Sequence, residues 1–163
     1  MRGAFASLAM VLVLLIAPQQ LSACGENVRI VIKGGDLAAP IEIADREALV
    51  RFNVWSGPGT STNEAQGLIV DWSQGVAEPP KNLQVYEVLF VTTRRDPGTY
   101  VVSYLIDPST NEGYVYLPGK TDAGYRDNVW LIYHGVEGHW FRAWSAWEKL
   151  AHPLIAQARK PHQ

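Results

Sequence analysis

The chain has 163 residues, 47% of them hydrophobic and 18% charged, with a formal net charge of −2. This balance excludes a disordered tail and offers no basic surface for nucleic acid, and 14 Gly with 10 Pro is too few for a collagen-like or low-complexity chain. No repeat in the range of about 20–50 residues is present, which excludes a solenoid.

The amino terminus differs in character from the rest. Met1 and Arg2 give a short positive start, and Ala4 to Ala17 is an apolar run broken only by Ser7. At ~1.5 Å per residue such a helix spans roughly 21 Å, short of a bilayer core of ~30 Å, so residues 1–23 read as a secretory signal peptide rather than a membrane span. Residues 24–163 then form a single globular extracytoplasmic domain, with 13 Lys and Arg against 16 Asp and Glu. Cys24 is the only cysteine, which excludes an intramolecular disulfide. The segment Leu21-Ser22-Ala23-Cys24 resembles the lipobox of bacterial lipoproteins. That resemblance implies diacylglyceryl transfer to the Cys24 thiol, cleavage before it, and acylation of the new terminus. It also implies a domain held by lipid at a membrane of the bacterial cell envelope, outside the cytoplasm. The competing expectation is ordinary cleavage after Ala23, which leaves Cys24 a free thiol.

Within the mature segment, Val28 to Lys33 is rich in β-branched residues and reads as a strand ended by Gly34-Gly35; Ile41-Glu42-Ile43 reads as a second. Asp45 is placed to cap a short helix over about 46–54. Residues 56–80 are irregular, with four Gly, three Pro and one apolar patch, Leu68-Ile69-Val70. Three β-prone runs, 83–93, 100–106 and 114–117, are separated by Arg95-Asp96-Pro97-Gly98 and Asp107-Pro108, which predicts an antiparallel three-strand meander over about 83–118. Residues 128–134 are apolar on both faces and fit either a strand or a buried helix. Trp140, Trp144, Trp147, Ala151, Leu154 and Ala158 recur at alternating spacings of four and three, which predicts one helical stripe, with a kink or break at Pro153. The expected class is α+β, an antiparallel sheet packed by a C-terminal helix.

The polar cluster His134-Gly135-Val136-Glu137-Gly138-His139 brings two imidazoles and a carboxylate together, so His134, Glu137 and His139 are candidate metal ligands. Their spacing is not the i, i+4 histidine pair of helical zinc sites, and a glycine-bearing turn with exposed histidines explains it equally. The stripe accounts for three of the six tryptophans as core. Trp55 and Trp72 flank the irregular segment, and with Asp71 they are candidate ligand contacts. There is no Gly-x-Ser-x-Gly elbow and no phosphate-binding Gly-Lys-Ser/Thr loop, so no catalytic residue is named and no cofactor is expected.

The stretches Gly34-Gly35-Asp36-Leu37-Ala38-Ala39-Pro40-Ile41-Glu42-Ile43 and Gly113-Tyr114-Val115-Tyr116-Leu117-Pro118-Gly119 are similar to segments of secreted bacterial proteins of unknown activity, a resemblance that implies no site. The expectation is a lipid-anchored binding or interaction module whose partners are the membrane, through Cys24, and an envelope protein or small molecule, but not nucleic acid. The alternative is an envelope hydrolase, metal-assisted through His134, Glu137 and His139.

Overall fold

The computed structural model describes residues 26–58, 66–93, 99–123, 125 and 135–159. The signal region, Cys24 and the 128–134 segment with its His134 lie outside the described residues.

The first strand, β1 (Asn27–Gly34), alternates Ile30 and Ile32 inward with Arg29 and Lys33 outward, the period-two pattern of a sheet with one buried face. It turns back into β2 (Ile41–Ile43), paired antiparallel with Ile30 opposite Ile43. The helix α1 (Arg46–Arg51) starts where Asp45 Oδ1 accepts from the Ala48 amide at 2.9 Å. It is three residues shorter than the 46–54 expected, because Phe52 leaves helical geometry and turns into the core, where it makes T-shaped contacts with Trp144 and Trp147, ring centroids 5.5 and 5.3 Å apart. Asn27 fixes that end: its Nδ2 donates to the carbonyls of Phe52 at 2.9 Å and Leu49 at 3.3 Å.

The irregular segment holds a small hairpin, β3 (Gln66–Gly67) with β4 (Val70–Asp71), one 3₁₀ turn at Trp72–Gln74 and the edge strand β5 (Val76–Ala77). Three further strands follow in sequence, β6 (Val85–Thr92), β7 (Thr99–Ile106) and β8 (Gly113–Tyr116). The last is β9 (Trp140–Arg142). Together β2-β1-β6-β7-β8-β9-β5 form a seven-stranded antiparallel sheet. With the C-terminal helix α2 (Ser145–Ala158) the architecture is α+β.

Two expectations about the carboxyl end are corrected. Trp140 is in β9, not on the helix: Phe141 is buried between half-buried Trp140 and Arg142, a period of two that the four-three spacing from Trp140 to Trp144 hides. The helix begins only at Ser145, and its buried line is Trp147, Ala151 and Ile155, with Leu154 and Ala158 half-buried beside it. Nor does Pro153 break it; α2 is continuous through this position. Pro153 and Lys149, whose carbonyl loses its amide partner, are both exposed, so water can replace the missing bond.

One face of the sheet, lined by Ile30, Ile32, Tyr86, Val88, Phe90, Val102, Tyr104, Val115 and Phe141, packs with α1, the β3–β4 hairpin and α2 into a single core. The hairpin is stitched to the helix by the Trp144 amide, which donates to the Ile69 carbonyl at 2.8 Å. Among the described residues no helix is long and apolar enough to cross a membrane.

Candidate functional site

Trp55 and Trp72, which flank the irregular segment, are half-buried against the core. Trp72 meets the edge of Phe141 at 5.2 Å, and Asp71 Oδ1 caps the 3₁₀ turn, accepting from the amide and hydroxyl of Ser73 at 3.1 and 2.5 Å. The two tryptophans have packing roles and Asp71 a capping role. Glu137 and His139 sit at the turn before β9. Glu137 Oε2 accepts from the Gly135 amide at 2.7 Å and His139 is exposed. Among the described residues no three His, Cys, Asp or Glu side chains come together as a metal site.

A different constellation lies on the sheet face turned away from the core. Because every pairing in the sheet is antiparallel and the central registers are continuous, one row crosses it: Lys33 opposite Glu87, Glu87 opposite Ser103, Ser103 opposite Tyr116, and Tyr116 opposite Trp140. A second row puts Leu89 between Val31 and Val101. The segment after β8 rises over this face and encloses a cleft of about 750 Å³ whose floor is Leu89, Val101 and Ser103 and whose walls are Lys33 with Glu87 and Tyr116 with Pro118 and Asp122.

The walls are polar and held in place. Lys33 Nζ lies 3.0 Å from Glu87 Oε2, and both side chains are about half exposed, so solvent screens the pair and it contributes little to stability. The Tyr116 hydroxyl donates to Asp122 Oδ2 at 2.8 Å, and the same oxygen accepts from the Gly119 amide at 2.7 Å. Burial first, and then the hydrogen bond and charge of Asp122, hold the Tyr116 hydroxyl above its ordinary range, so it remains a donor. Tyr116 also leans on Trp140, ring centroids 5.0 Å apart. An apolar floor between a cation–carboxylate pair and a fixed carboxylate suits a small amphipathic ligand or an extended peptide, with contacts at both polar walls.

No protein-family model, curated protein or solved structure matches the chain. The site therefore has to be read from its own chemistry.

The sequence carries a usable signal for the cleft. Glu87, Ser103 and Tyr116 are the outward positions of strands whose inward residues are apolar, so alternation alone puts them on the open face. What alternation cannot supply is the register that lines them up, or the return of Asp122 onto Tyr116.

A second polar cluster lies on the core side. The Tyr104 hydroxyl, held well above its ordinary range chiefly by burial, shares a hydrogen bond with His152 Nε2 at 2.7 Å. Close by, the Tyr86 hydroxyl donates to Asp36 Oδ1 at 2.7 Å, and Arg159 reaches both Asp36, at 3.1 Å, and Tyr86, at 3.3 Å. Burial, and then the charge of Arg159, push the His152 imidazole below its ordinary value. A base with a lower pKa folded than unfolded takes up its proton first in the unfolded chain. Stability is therefore full above the unfolded value of about 6.5 and falls as pH drops below it. Glu148 acts with the opposite sign just above the ordinary carboxylate range, since burial raises it. The expected result is that His152→Gln, whose amide can still hydrogen-bond Tyr104, shows a shallower loss of stability between pH 6.5 and 5 than the parent chain. Denaturant titrations of the two proteins at each pH measure it, and parallel curves would remove His152 as the cause.

Proposed function

We propose that the chain is a lipid-anchored domain of the bacterial cell envelope that binds an envelope partner or small molecule through the open face of its sheet. The observation that carries the anchor is the position of the sole cysteine, Cys24, at the end of Leu21-Ser22-Ala23-Cys24. Two or three acyl chains, each worth ~0.8 kcal/mol per buried methylene, hold a protein at a bilayer far more durably than one. The cleft between the Lys33–Glu87 pair and the Tyr116–Asp122 pair supports the binding half of the reading. The three-strand meander over about 83–118 is, in this reading, the platform: it supplies the floor and one polar wall and leaves the binding residues on a face that core packing does not use.

Cys24→Ala tests the anchor, and its expected result is a chain released from the membrane fraction. Unaltered membrane fractionation would mean that something else holds the protein. The released chain then serves for the second half: it should titrate onto isolated envelopes with saturation, severalfold more weakly when Asp122→Ala is added. Binding that ignores Asp122 would take the cleft out of the reading.

A further inference from the structure

The fold grips the chain almost at once after the cysteine. The Glu26 amide donates to Thr93 Oγ1 at 3.1 Å, and its carbonyl accepts from the Thr93 amide at 2.9 Å. The next residue, Asn27, is buried, pairs with Thr92 in the sheet, and is bonded through its side chain to α1. From Cys24 to Glu26 is a step of two residues, at most roughly 7 Å even when fully extended. That is about the depth of one interfacial layer, since a bilayer of ~40–45 Å has a hydrocarbon core of ~30 Å.

We propose that the end of the domain formed by the start of β1, the end of β6 and α1 rests directly on the phospholipid surface, held in that orientation by a tether too short to let it stand away. This rests on the lipid-anchor reading. The surface at that end fits the assignment. Val28, next to Asn27, is 46% exposed, and Val50, on the helix whose carbonyls Asn27 binds, is 69% exposed. Exposed valines at an interface favour contact with the headgroup–acyl boundary over water. Of the cations nearby, Arg29 is paired with Glu42 at 3.4 Å and Arg51 with Glu47 at 2.6 Å, while Arg46 on the same helix is exposed and, among the described residues, has no ion pair. Contact is imposed by the covalent tether and helped by apolar area, so high salt, which screens Arg46, leaves it in place. Val85, also exposed, begins β6 at the opposite end of the sheet, roughly 23 Å from Thr92 at ~3.3 Å per residue, and serves as the distal reference.

The experiment uses the full chain, processed in a bacterial host and reconstituted in vesicles of phosphatidylethanolamine and phosphatidylglycerol carrying a lipid-attached quencher. A lipidated Cys24 is a thioether, so a cysteine introduced by Val28→Cys, Val50→Cys or Val85→Cys is the single free thiol for a fluorescent label. The expected result is severalfold stronger quenching at 28 and 50 than at 85, unaffected by high salt. Lengthening the tether with a long Gly/Ser insert between Gly25 and Glu26 should bring all three positions to the value at 85. Equal quenching at the three positions in the lipidated chain overturns the apposition alone. Persistence of contact after the insertion overturns the tether as its cause. Labelling of the parent chain, which reports an unblocked Cys24, overturns the anchor reading and the apposition with it.

Discussion

Replacing Trp147 with alanine will lower the unfolding free energy by about 3–5 kcal/mol, the cost of removing a large aromatic ring from a closed core. Trp147 is fully buried and makes T-shaped contacts with Phe52, ring centroids 5.3 Å apart, and with Tyr104, 6.0 Å apart. Those contacts join α1, the central strand β7 and α2, so the cavity would open where three elements meet and where collapse of one is resisted by the others. Small domains are stable by only ~5–15 kcal/mol, and Trp147→Ala should use up much of this one's margin. The indole Nε1 has no hydrogen-bond partner among the described residues, so Trp147→Phe forfeits packing but no hydrogen bond and should cost distinctly less. Urea unfolding of the three proteins at constant slope decides it; a loss near zero for Trp147→Ala would mean that the ring is not part of the core that holds the helix.

The second large effect is expected from a single methyl group. A Cβ at Gly113 would lie 2.8 Å from the Ala143 Cβ and 2.8 Å from the Tyr104 hydroxyl, both closer than side-chain atoms tolerate. Ala143 cannot retreat, because its amide is bonded to the Gly113 carbonyl at 2.9 Å. Tyr104 can give way only by leaving His152. Gly113→Ala therefore combines overpacking, typically ~1–3 kcal/mol, with a buried hydroxyl that loses its hydrogen-bond partner, typically ~1–3 kcal/mol more. The Gly113 amide, which donates to Glu148 Oε1 at 2.5 Å, is displaced at the same time. The thermal midpoint should fall clearly below that of the parent protein. A midpoint within a degree or so of it would show that β8 and α2 separate easily, contrary to the contacts described.

Much of the fold was legible because local chemistry and tertiary structure agree. Ile41-Glu42-Ile43 alternates and is a strand; Asp45 caps because its carboxylate meets free amides; Gly34 and Gly35 end β1 with φ of 84° and 58°, which few other residues adopt. The carboxyl end misled because three tryptophans at spacings of four and three satisfy a helix while the first of them belongs to a strand, and nothing local separates Trp140 from Trp144. The packing of Trp55 and Trp72 was not legible for another reason: a segment rich in Gly and Pro reads as irregular, yet it folds back on β9 against the core. The cleft was half legible. Its residue types follow from alternation, but the row from Lys33 to Trp140 exists only through pairings between strands up to 50 or more residues apart in the chain.

Those same pairings set an order of events for a chain that emerges amino end first. The hairpin of β1 and β2 can form early, but β1 finds its other neighbour only when β6 arrives, with Ile30 waiting for Phe90. The sheet is not filled until β9 pairs with both β8 and β5, and its apolar face is not covered until Trp147, Ala151 and Ile155 follow. Nonlocal contacts of this kind are slow to form and leave β-prone edges open to other chains in the interval. Under the proposed export that interval would fall during and just after translocation, so quality control outside the cytoplasm would meet this chain with its β-prone edges exposed and its stabilising helix still to come.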